Sequence, residues 1–343
     1  MKICYLVSDY ISHLRAGQAY MACLEALGHT LVAEPGESDL VIIHEGPHEY
    51  KRIMKAMPRR AGRKYVGYGV WETPQLPERF IEGVRCMDAI WTCSEFSRQA
   101  FAPYAETFLL PHVVERPKAS RADMAWAMER IGMTGAEGAN QANRTARDTM
   151  YFYTILDTVN PRKGAEALFT AFAAAFPHAR DNVRLVVKQY RKSLAIGEFP
   201  HVIDIPEFLT DGQIAALHAV CDVYVSAHRA EAWGLPLSEA LSFGNPVIAT
   251  GYSGNMEFMT EENSFPVPYD IVPISERMCQ ALPELFAPEM TWAEIDVAAF
   301  VRILRQVRSR PVDAEFRARA AQSVKAFSPE VICERLRALL DAL

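Results

Sequence analysis

The stretch from residue 223 to residue 258 constrains the fold of this chain most. It reads Val-Tyr-Val-Ser-Ala-His-Arg-Ala-Glu-Ala-Trp-Gly-Leu-Pro-Leu-Ser-Glu-Ala-Leu-Ser-Phe-Gly-Asn-Pro-Val-Ile-Ala-Thr-Gly-Tyr-Ser-Gly-Asn-Met-Glu-Phe. The apolar run 223–226 predicts a buried strand, followed by a polar loop, a short helix, a second strand over 246–250 and a glycine-punctuated loop. Gly234 frees the turn, and Pro236 suits the first helical turn, where its missing N–H would be unpaired anyway. Gly244-Asn245-Pro246 stops the helix. A unit of this kind belongs in a parallel α/β sheet, with its loops at the ligand-binding, carboxyl end of the strands.

Two acids bracket that turn, Glu231 in the loop and Glu239 about one turn into the helix. Carboxylates repel phosphate but accept hydrogen bonds from hydroxyls. The N–H groups of Leu235 and Leu237, and of the loop Ser253-Gly254-Asn255-Met256, are free to meet phosphate oxygens. A ligand with both phosphates and sugar hydroxyls satisfies both demands, and a nucleotide sugar is such a ligand.

This stretch resembles the retaining glycosyltransferases of family 4 (glycosyltransferase group 1), through their E-x7-E signature with Trp-Gly-Leu-Pro inside it. The resemblance implies the GT-B fold, two doubly wound Rossmann-like α/β domains facing across a cleft. It implies transfer of a sugar from a nucleoside diphosphate sugar to a glycan, lipid-linked or small-molecule acceptor, with retention. Glu231 would hold hydroxyls of the donor sugar, and Glu239 the ribose. The diphosphate would meet Lys163 and Arg162 of the turn Asn160-Pro161-Arg162-Lys163-Gly164, the amides around Gly234 and Leu235, and the loop Ser253-Gly254-Asn255. Lys188, at the end of a strand over 183–188, is a further diphosphate or base-site candidate. In the resemblance, a strand-end histidine points at the transferred sugar; His44 matches best, with His48 as the spare. Glu72 and Ser94 match segments that face the acceptor. Fixed cations stabilise the leaving group without a metal, and there is no D-x-D motif, so no metal or other cofactor is expected.

The rest of the chain fits this scheme. Residues 1–115 form an acceptor-side domain with strands over 2–7, 30–33, 39–44, 65–70 and 109–114. A loop over 8–15 precedes a helix over 17–27; that loop, His13-Leu14-Arg15-Ala16-Gly17-Gln18, has one glycine. Residues 116–148 form the connection, with a helix over 121–131 and a mobile, small-polar second half. Residues 149–326 form the donor-side domain, with an edge strand over 264–269 and a helix over 291–307 whose Arg302, Arg305 and Arg308 lie on a solvated face. Residues 327–343 form a helix that packs back on the first domain.

A chain of 343 residues with net charge −6 suits two such domains and argues against nucleic-acid binding. No apolar stretch is long enough to cross a bilayer, and no signal peptide is evident. The seven cysteines are scattered, with no C-x-x-C pair. They are expected to be unpaired core residues in a reducing, cytoplasmic setting, with neither a zinc site nor a disulfide framework. The basic cluster over 51–64, interrupted by Pro58, is most simply a solvated face. Its second reading is peripheral contact with anionic lipid at the inner face of a membrane, and hence a lipid-linked or cell-envelope glycan acceptor. Two other classes fit the fold: a sugar-nucleotide epimerase and a non-catalytic partner subunit.

Overall fold

The structure, a computed structural model, describes all residues except 58, 134–147, 191–193 and 198. Pro58 and the second half of the expected connection thus lie outside the described residues. The chain opens with β1 (Lys2–Val7), α1 (Ile11–Ala26), β2 (Thr30–Val32), β3 (Leu40–His44), α2 (Tyr50–Ala56), β4 (Lys64–Tyr68), α3 (Glu78–Arg85), β5 (Ala89–Thr92), α4 (Glu95–Phe101) and β6 (Thr107–Leu109). These strands form one parallel sheet in the order β2-β1-β3-β4-β5-β6. β3 and β5 are buried at every position, as strands covered by helices on both faces must be.

After α5 (Arg121–Arg130) come β7 (Met150–Leu156), α6 (Ala165–Ala175), β8 (Val183–Gln189), β9 (Val202–Ile205), α7 (Asp211–Val220), β10 (Val223–Ser226), α8 (Leu235–Ser242), β11 (Val247–Thr250) and β12 (Phe265–Val267). They make a second parallel sheet, β12-β11-β10-β7-β8-β9. Its order reverses between β7 and β10, and that of the first sheet between β1 and β3. Open α/β sheets bind ligands at such switch points, beyond the carboxyl ends of the strands. The loops after β1, β3, β7 and β10 therefore converge on one cleft.

β13 (Tyr269–Pro273) and β14 (Thr291–Ile295) form an antiparallel pair flanking α9 (Glu276–Ala281). α10 (Val297–Ser309), α11 (Ala314–Ser323) and α12 (Pro329–Asp341) complete the chain. As expected, α12 returns to the first half and packs against α1. The two halves are joined by core as well, since one apolar cluster holds Tyr20, Trp91 and Cys93 together with Trp233, Phe258 and Leu336.

Four expectations need correction. Helix α1 begins at Ile11, six residues before the expected Gly17, because Leu14 N–H already bonds the Tyr10 carbonyl (2.9 Å). The strand expected over 109–114 is β6 (Thr107–Leu109); Pro111 has no N–H to continue a ladder. Residues 291–295 form a strand, drawn from helix by pairing with β13, and the helix starts at Val297. On that helix Arg305 donates to the carbonyls of Ala174 (2.7 Å) and Ala175 (3.1 Å), and Arg308 to those of Asp181 and Asp148. These two arginines cap backbone, α6's C-terminal carbonyls among it, instead of facing solvent.

The basic cluster is likewise engaged within its own half. Lys51 pairs with Glu82 (2.5 Å), Arg52 with Glu49 and Arg59 with Asp88 (2.9 Å). Arg60 donates to the Gly36 carbonyl (3.1 Å), and Arg63 to those of Gly36 and Ser38 (3.0 Å each). No described helix is long and apolar enough to cross a membrane.

The expectation of unpaired cysteines fails at one place. Cys23 on α1 and Cys333 on α12 form a disulfide with their Cα atoms 5.1 Å apart, across a sequence separation of 310. No local spacing could have announced it, and it removes the argument for a reducing compartment. Because the loop it closes is long, its removal costs about 2–4 kcal/mol. Reduction, or Cys23→Ser, therefore lowers the midpoint of thermal unfolding. Alkylation of the unreduced, denatured protein labels only the five free cysteines. Seven labels would count against the bond.

Candidate active site

The turn after β7 is locked by its own chemistry. Asn160 accepts the Arg162 N–H on its side chain (3.0 Å), and Gly164 then takes a left-handed conformation (φ 64°) at the start of α6. A Cβ on Gly164 would lie 1.8 Å from the Ala227 carbonyl oxygen, so only glycine allows this turn to touch the loop after β10. That contact sets Arg162 and Lys163 against Glu231. Lys163 Nζ donates to Glu231 Oε1 (2.5 Å). Arg162, nearly fully buried, spans the Ala230 carbonyl (2.7 Å), Glu231 Oε2 (3.3 Å) and Glu72 Oε1 of the first half (3.2 Å).

Burial alone would raise the Glu231 pKa, but Lys163 and then Arg162 outweigh it and bring it down to about 2. Glu231 is thus a fixed carboxylate that accepts hydrogen bonds and has no proton to give near neutral pH. Its backbone is held from behind: Glu231 N–H donates to Ser253 Oγ (2.8 Å), and Gly254 N–H to the Glu231 carbonyl (2.8 Å). A Cβ on Gly254 would lie 1.8 Å from the Ala232 oxygen. Ser253 tolerates φ 75° because its hydroxyl is tied to both Glu231 and the Tyr252 carbonyl. Asn255 is buried on His228 Nε2 (3.0 Å) and the Thr250 carbonyl (3.0 Å). Of the three loop residues expected on the diphosphate, Ser253 and Gly254 therefore buttress Glu231, with the Gly254 amide already spent, and Asn255 is tied to His228 and Thr250.

Opposite Lys163 stands the start of α8. Gly234 caps it at φ 90°, Leu237 N–H returns to the Gly234 carbonyl (3.0 Å), and Pro236 has no N–H. That leaves the Leu235 amide without an intrahelical acceptor, while the expected free amide of Leu237 is used. Glu239, one turn on, has Oε2 3.4 Å from His218 Nε2 and Oε1 3.8 Å from Arg15 of α1.

The cleft between the halves encloses about 1130 Å3, open mouth included. Glu72, Arg162, Lys163, Glu231, Gly234, Leu235 and Glu239 line it together. Four other expected residues do not. Lys188 turns its ammonium to the Gln189 carbonyl and the Tyr190 ring (4.5 Å), so Tyr190 faces the cleft in its place. Ser94 is buried as the N-cap of α4, accepting the Ser97 N–H (3.2 Å). His44 is fully buried, with Nδ1 2.9 Å from Tyr5 Oη, and lies behind His13. His48 sits beside Glu49 (3.6 Å) and Phe80.

Tyr10, His112 and Tyr190 also line the cleft and were not expected there, while His13 and Arg15 belong to the segment that the resemblance turns towards the cleft but to which no role was assigned. A helix that opens directly after the switch-point strand β1 was the available signal, since its first turn must face the cleft. Arg15 spans the cleft, pairing with Asp211 at the start of α7 (2.5 Å).

Acid should loosen this site. Glu231 titrates at about 2 instead of 4.5, so the stability that its charge contributes is complete above pH 4.5 and is lost as pH falls towards 2. His13, held down to about 4 by burial and the charge of His48, and His112, held down to about 3 by burial and His13, are buried in neutral form. Unfolded chains take up those protons below pH 6.5, so folding loses stability as pH falls from 6.5 towards 4 and 3. All three act in one direction. The unfolding midpoint is expected to fall steadily from pH 7 to pH 4; a midpoint that rose on acidification would contradict these assignments.

Comparison with known proteins now bears on this geometry. Residues 139–282 match the family model for glycosyl transferases group 1. The chain is a glycosyltransferase with a group 1 domain. A comparison with curated proteins finds no significant match. Among solved structures, Anabaena HepE, in complex with UDP and glucose, is 17% identical with a TM-score of 0.62, each chain covered in full. Sucrose-phosphate synthase from Thermosynechococcus elongatus is 14% identical with a TM-score of 0.67, over 100% of this chain and 98% of that one. A variant of S. aureus TarM, in complex with Fondaparinux, alpha-GlcNAc-glycerol and UDP, is 14% identical with a TM-score of 0.59, over 92% and 58%. At such identities the likeness is one of fold, and the fold of this glycosyltransferase is GT-B.

Proposed function

We propose that this glycosyltransferase moves a sugar from a nucleoside diphosphate sugar to a glycan or lipid-linked acceptor, with retention of configuration and without a metal. The observation that carries this reading is the convergence of Lys163 and Arg162 on Glu231 at the β7/β10 switch point, facing the Leu235 amide and Glu239. Uridine is the favoured base, because HepE, TarM and the pneumococcal O-GlcNAc transferase GtfA are each complexed with UDP. The last two, complexed with alpha-GlcNAc-glycerol and GlcNAc respectively, also favour a cell-envelope or glycan acceptor.

In the proposed reaction the bond between the anomeric carbon and the distal phosphate oxygen breaks. The acceptor hydroxyl oxygen adds from the same face, and its proton passes to the departing phosphate oxygen. Lys163, Arg162 and the Leu235 amide offset the charge that grows on the diphosphate, as pre-positioned donors do in a water-poor site. To reach it, Lys163 gives up part of its bond to Glu231, and the freed carboxylate accepts sugar hydroxyls. Glu239 accepts the ribose hydroxyls in place of Arg15. The acceptor enters past Glu72.

Thermal unfolding with UDP, GDP, ADP and dTDP, with and without a chelator, tests this. A diphosphate at 100 times its dissociation constant stabilises by about 2.7 kcal/mol. Stabilisation by UDP that survives chelation and disappears in Glu239→Ala is the expected result. No stabilisation by any diphosphate, or stabilisation abolished by the chelator, would count against the reading.

A further inference from the structure

The hairpin β13–β14 lies outside both parallel sheets, and the reaction above gives it no part. In a strand, residues two apart share a face. Trp292 and Glu294 of β14 are such a pair, and Arg229, from the loop after β10, lies on both. Its Nε and Nη2 donate to Glu294 Oε2 (2.7 Å) and Oε1 (2.9 Å), and its guanidinium carbon stands 5.3 Å from the centre of the buried Trp292 ring. The Arg229 carbonyl accepts the Ala293 N–H (2.9 Å). The hairpin therefore grips this one residue by backbone, charge and ring.

On its other side Arg229 holds the turn that carries the cations. Its N–H donates to the Arg162 carbonyl (2.7 Å), and its Nη1 to the Pro161 carbonyl (2.5 Å). A peptide unit is planar, so fixing the direction of a carbonyl fixes the whole plane. The two planes fixed here flank the Cα of Arg162, and the second leads directly into Lys163. The contact of Gly164 with Ala227 sets how near this turn lies to the loop after β10; Arg229 sets which way it faces. Its ion pair with Glu294 is partly exposed (side chains 18% and 38%), and such pairs add little to folding. A displacement of about 1 Å at a reacting centre, by contrast, can slow a reaction about 10²-fold. We propose that Arg229 is a positioning residue: braced by Glu294 and Trp292 of β14, it aims Lys163 and Arg162 at the diphosphate of the donor. This rests on the nucleotide-sugar reading above.

The test reads phosphate and folding separately. Calorimetric titration with UDP and GDP finds the diphosphate that the wild type binds, and the 31P resonance of its bound β-phosphate is recorded. Turnover is followed as release of that diphosphate from UDP-glucose, UDP-N-acetylglucosamine or GDP-mannose with water as acceptor. The water oxygen joins the anomeric carbon, the bond to the distal phosphate oxygen breaks, and a proton leaves with the diphosphate. Arg229→Lys keeps the charge but cannot span a carboxylate and a carbonyl at once. In it the β-phosphate resonance shifts and kcat falls about 10²-fold. KM stays within about threefold, because charge grows on the diphosphate only as the bond breaks. Glu294→Gln gives the same pattern at about tenfold, and it decides the matter if Arg229→Lys does not fold. Arg305→Ala is the control, since Arg305 also holds carbonyls but at the far end of α6. It lowers the unfolding midpoint and leaves resonance and kcat unchanged. In a Lys163→Met background, Arg229→Lys has a much smaller effect than alone. An unmoved resonance and kcat in Arg229→Lys and Glu294→Gln, the same changes in Arg305→Ala, or full additivity with Lys163→Met would overturn the proposal. Where turnover with water is too slow to follow, the resonance decides by itself. If the wild type binds a diphosphate and these outcomes occur, only this proposal fails. If it binds neither diphosphate, the nucleotide-sugar reading fails first and takes this proposal with it.

Discussion

Glu231→Gln is expected to reduce sugar transfer by about 10²–10³-fold, the usual effect of removing one pre-positioned polar group from a transition-state site, while diphosphate binding persists. The amide keeps the shape of the side chain and can still accept a hydroxyl, but it loses the charge that holds Lys163 (2.5 Å) and Arg162 (3.3 Å) in place. In the ground state those two cations are tied to Glu231, so its neutralisation also frees them for the diphosphate, and UDP should bind as well or better. Glu231→Ala carries an added penalty. Among the described residues it leaves a buried arginine with Glu72 and the Ala230 carbonyl as side-chain partners, and breaking a buried pair costs about 3–5 kcal/mol. Turnover and unfolding midpoint should therefore be measured on both variants. A Gln variant with full turnover would remove Glu231 from the chemistry, whatever the Ala variant does.

Gly164→Ala is expected to produce the largest loss of stability of any single methyl group added near the site. Two penalties act on the same atom. The backbone is left-handed (φ 64°), which costs a residue with a Cβ about 1–2 kcal/mol. The new Cβ would also sit 1.8 Å from the Ala227 carbonyl oxygen, against backbone that has no rotamer to give way. Overpacking of this kind typically adds about 1–3 kcal/mol. The sum is a substantial part of the roughly 5–15 kcal/mol that holds a typical domain folded. Because the displaced contact is the one that seats Lys163 and Arg162 against Glu231, transfer should fall along with the unfolding midpoint. Gly132→Ala is the control. Gly132 has a similar φ (69°) but nothing within 4 Å of its Cβ position, so it isolates the conformational penalty. Equal losses in the two variants would show that the clash at Gly164 relaxes at little cost.

The residues that the folded chain brings to the cleft and those that it turns away differ for a common physical reason. Glu231, Gly234, Leu235 and Glu239 lie within one strand–loop–helix unit whose geometry depends on a few adjacent dihedrals. Their spacing alone places them on one side of a turn, and the structure brings them into one cleft with Lys163 and Arg162. Ser253, Gly254 and Asn255 lie in the same stretch, yet the Gly254 amide donates to the Glu231 carbonyl, Ser253 Oγ accepts from the Glu231 amide and the Asn255 side chain donates to the Thr250 carbonyl. Whether an amide is free depends on which carbonyl lies opposite, and that carbonyl belongs to another turn. Lys188 is a similar case, a strand-end cation drawn back onto its own backbone and an aromatic ring.

In the N-terminal half the difference is larger. His44 ends a strand at the switch point, as expected, but α1 begins so early that His13 covers it. Local reading made residues 8–15 a loop, whereas in the folded chain the helix already begins at Ile11. The Cys23–Cys333 bond and the Arg15–Asp211 pair join positions 310 and 196 residues apart, beyond the reach of any periodicity.

The amino-acid order was therefore sufficient for the two parallel sheets, the switch-point turns and the gathering of Glu231, Glu239, Arg162 and Lys163 at one cleft, because each follows from hydrophobic period, turn chemistry and short spacing. Which histidine meets the cleft, which loop amides are already spent and how the last helix is fastened to the first were decided only by the folded chain. Those outcomes depend on contacts between distant segments, and a side chain's partners are set by the space that remains once those segments have packed.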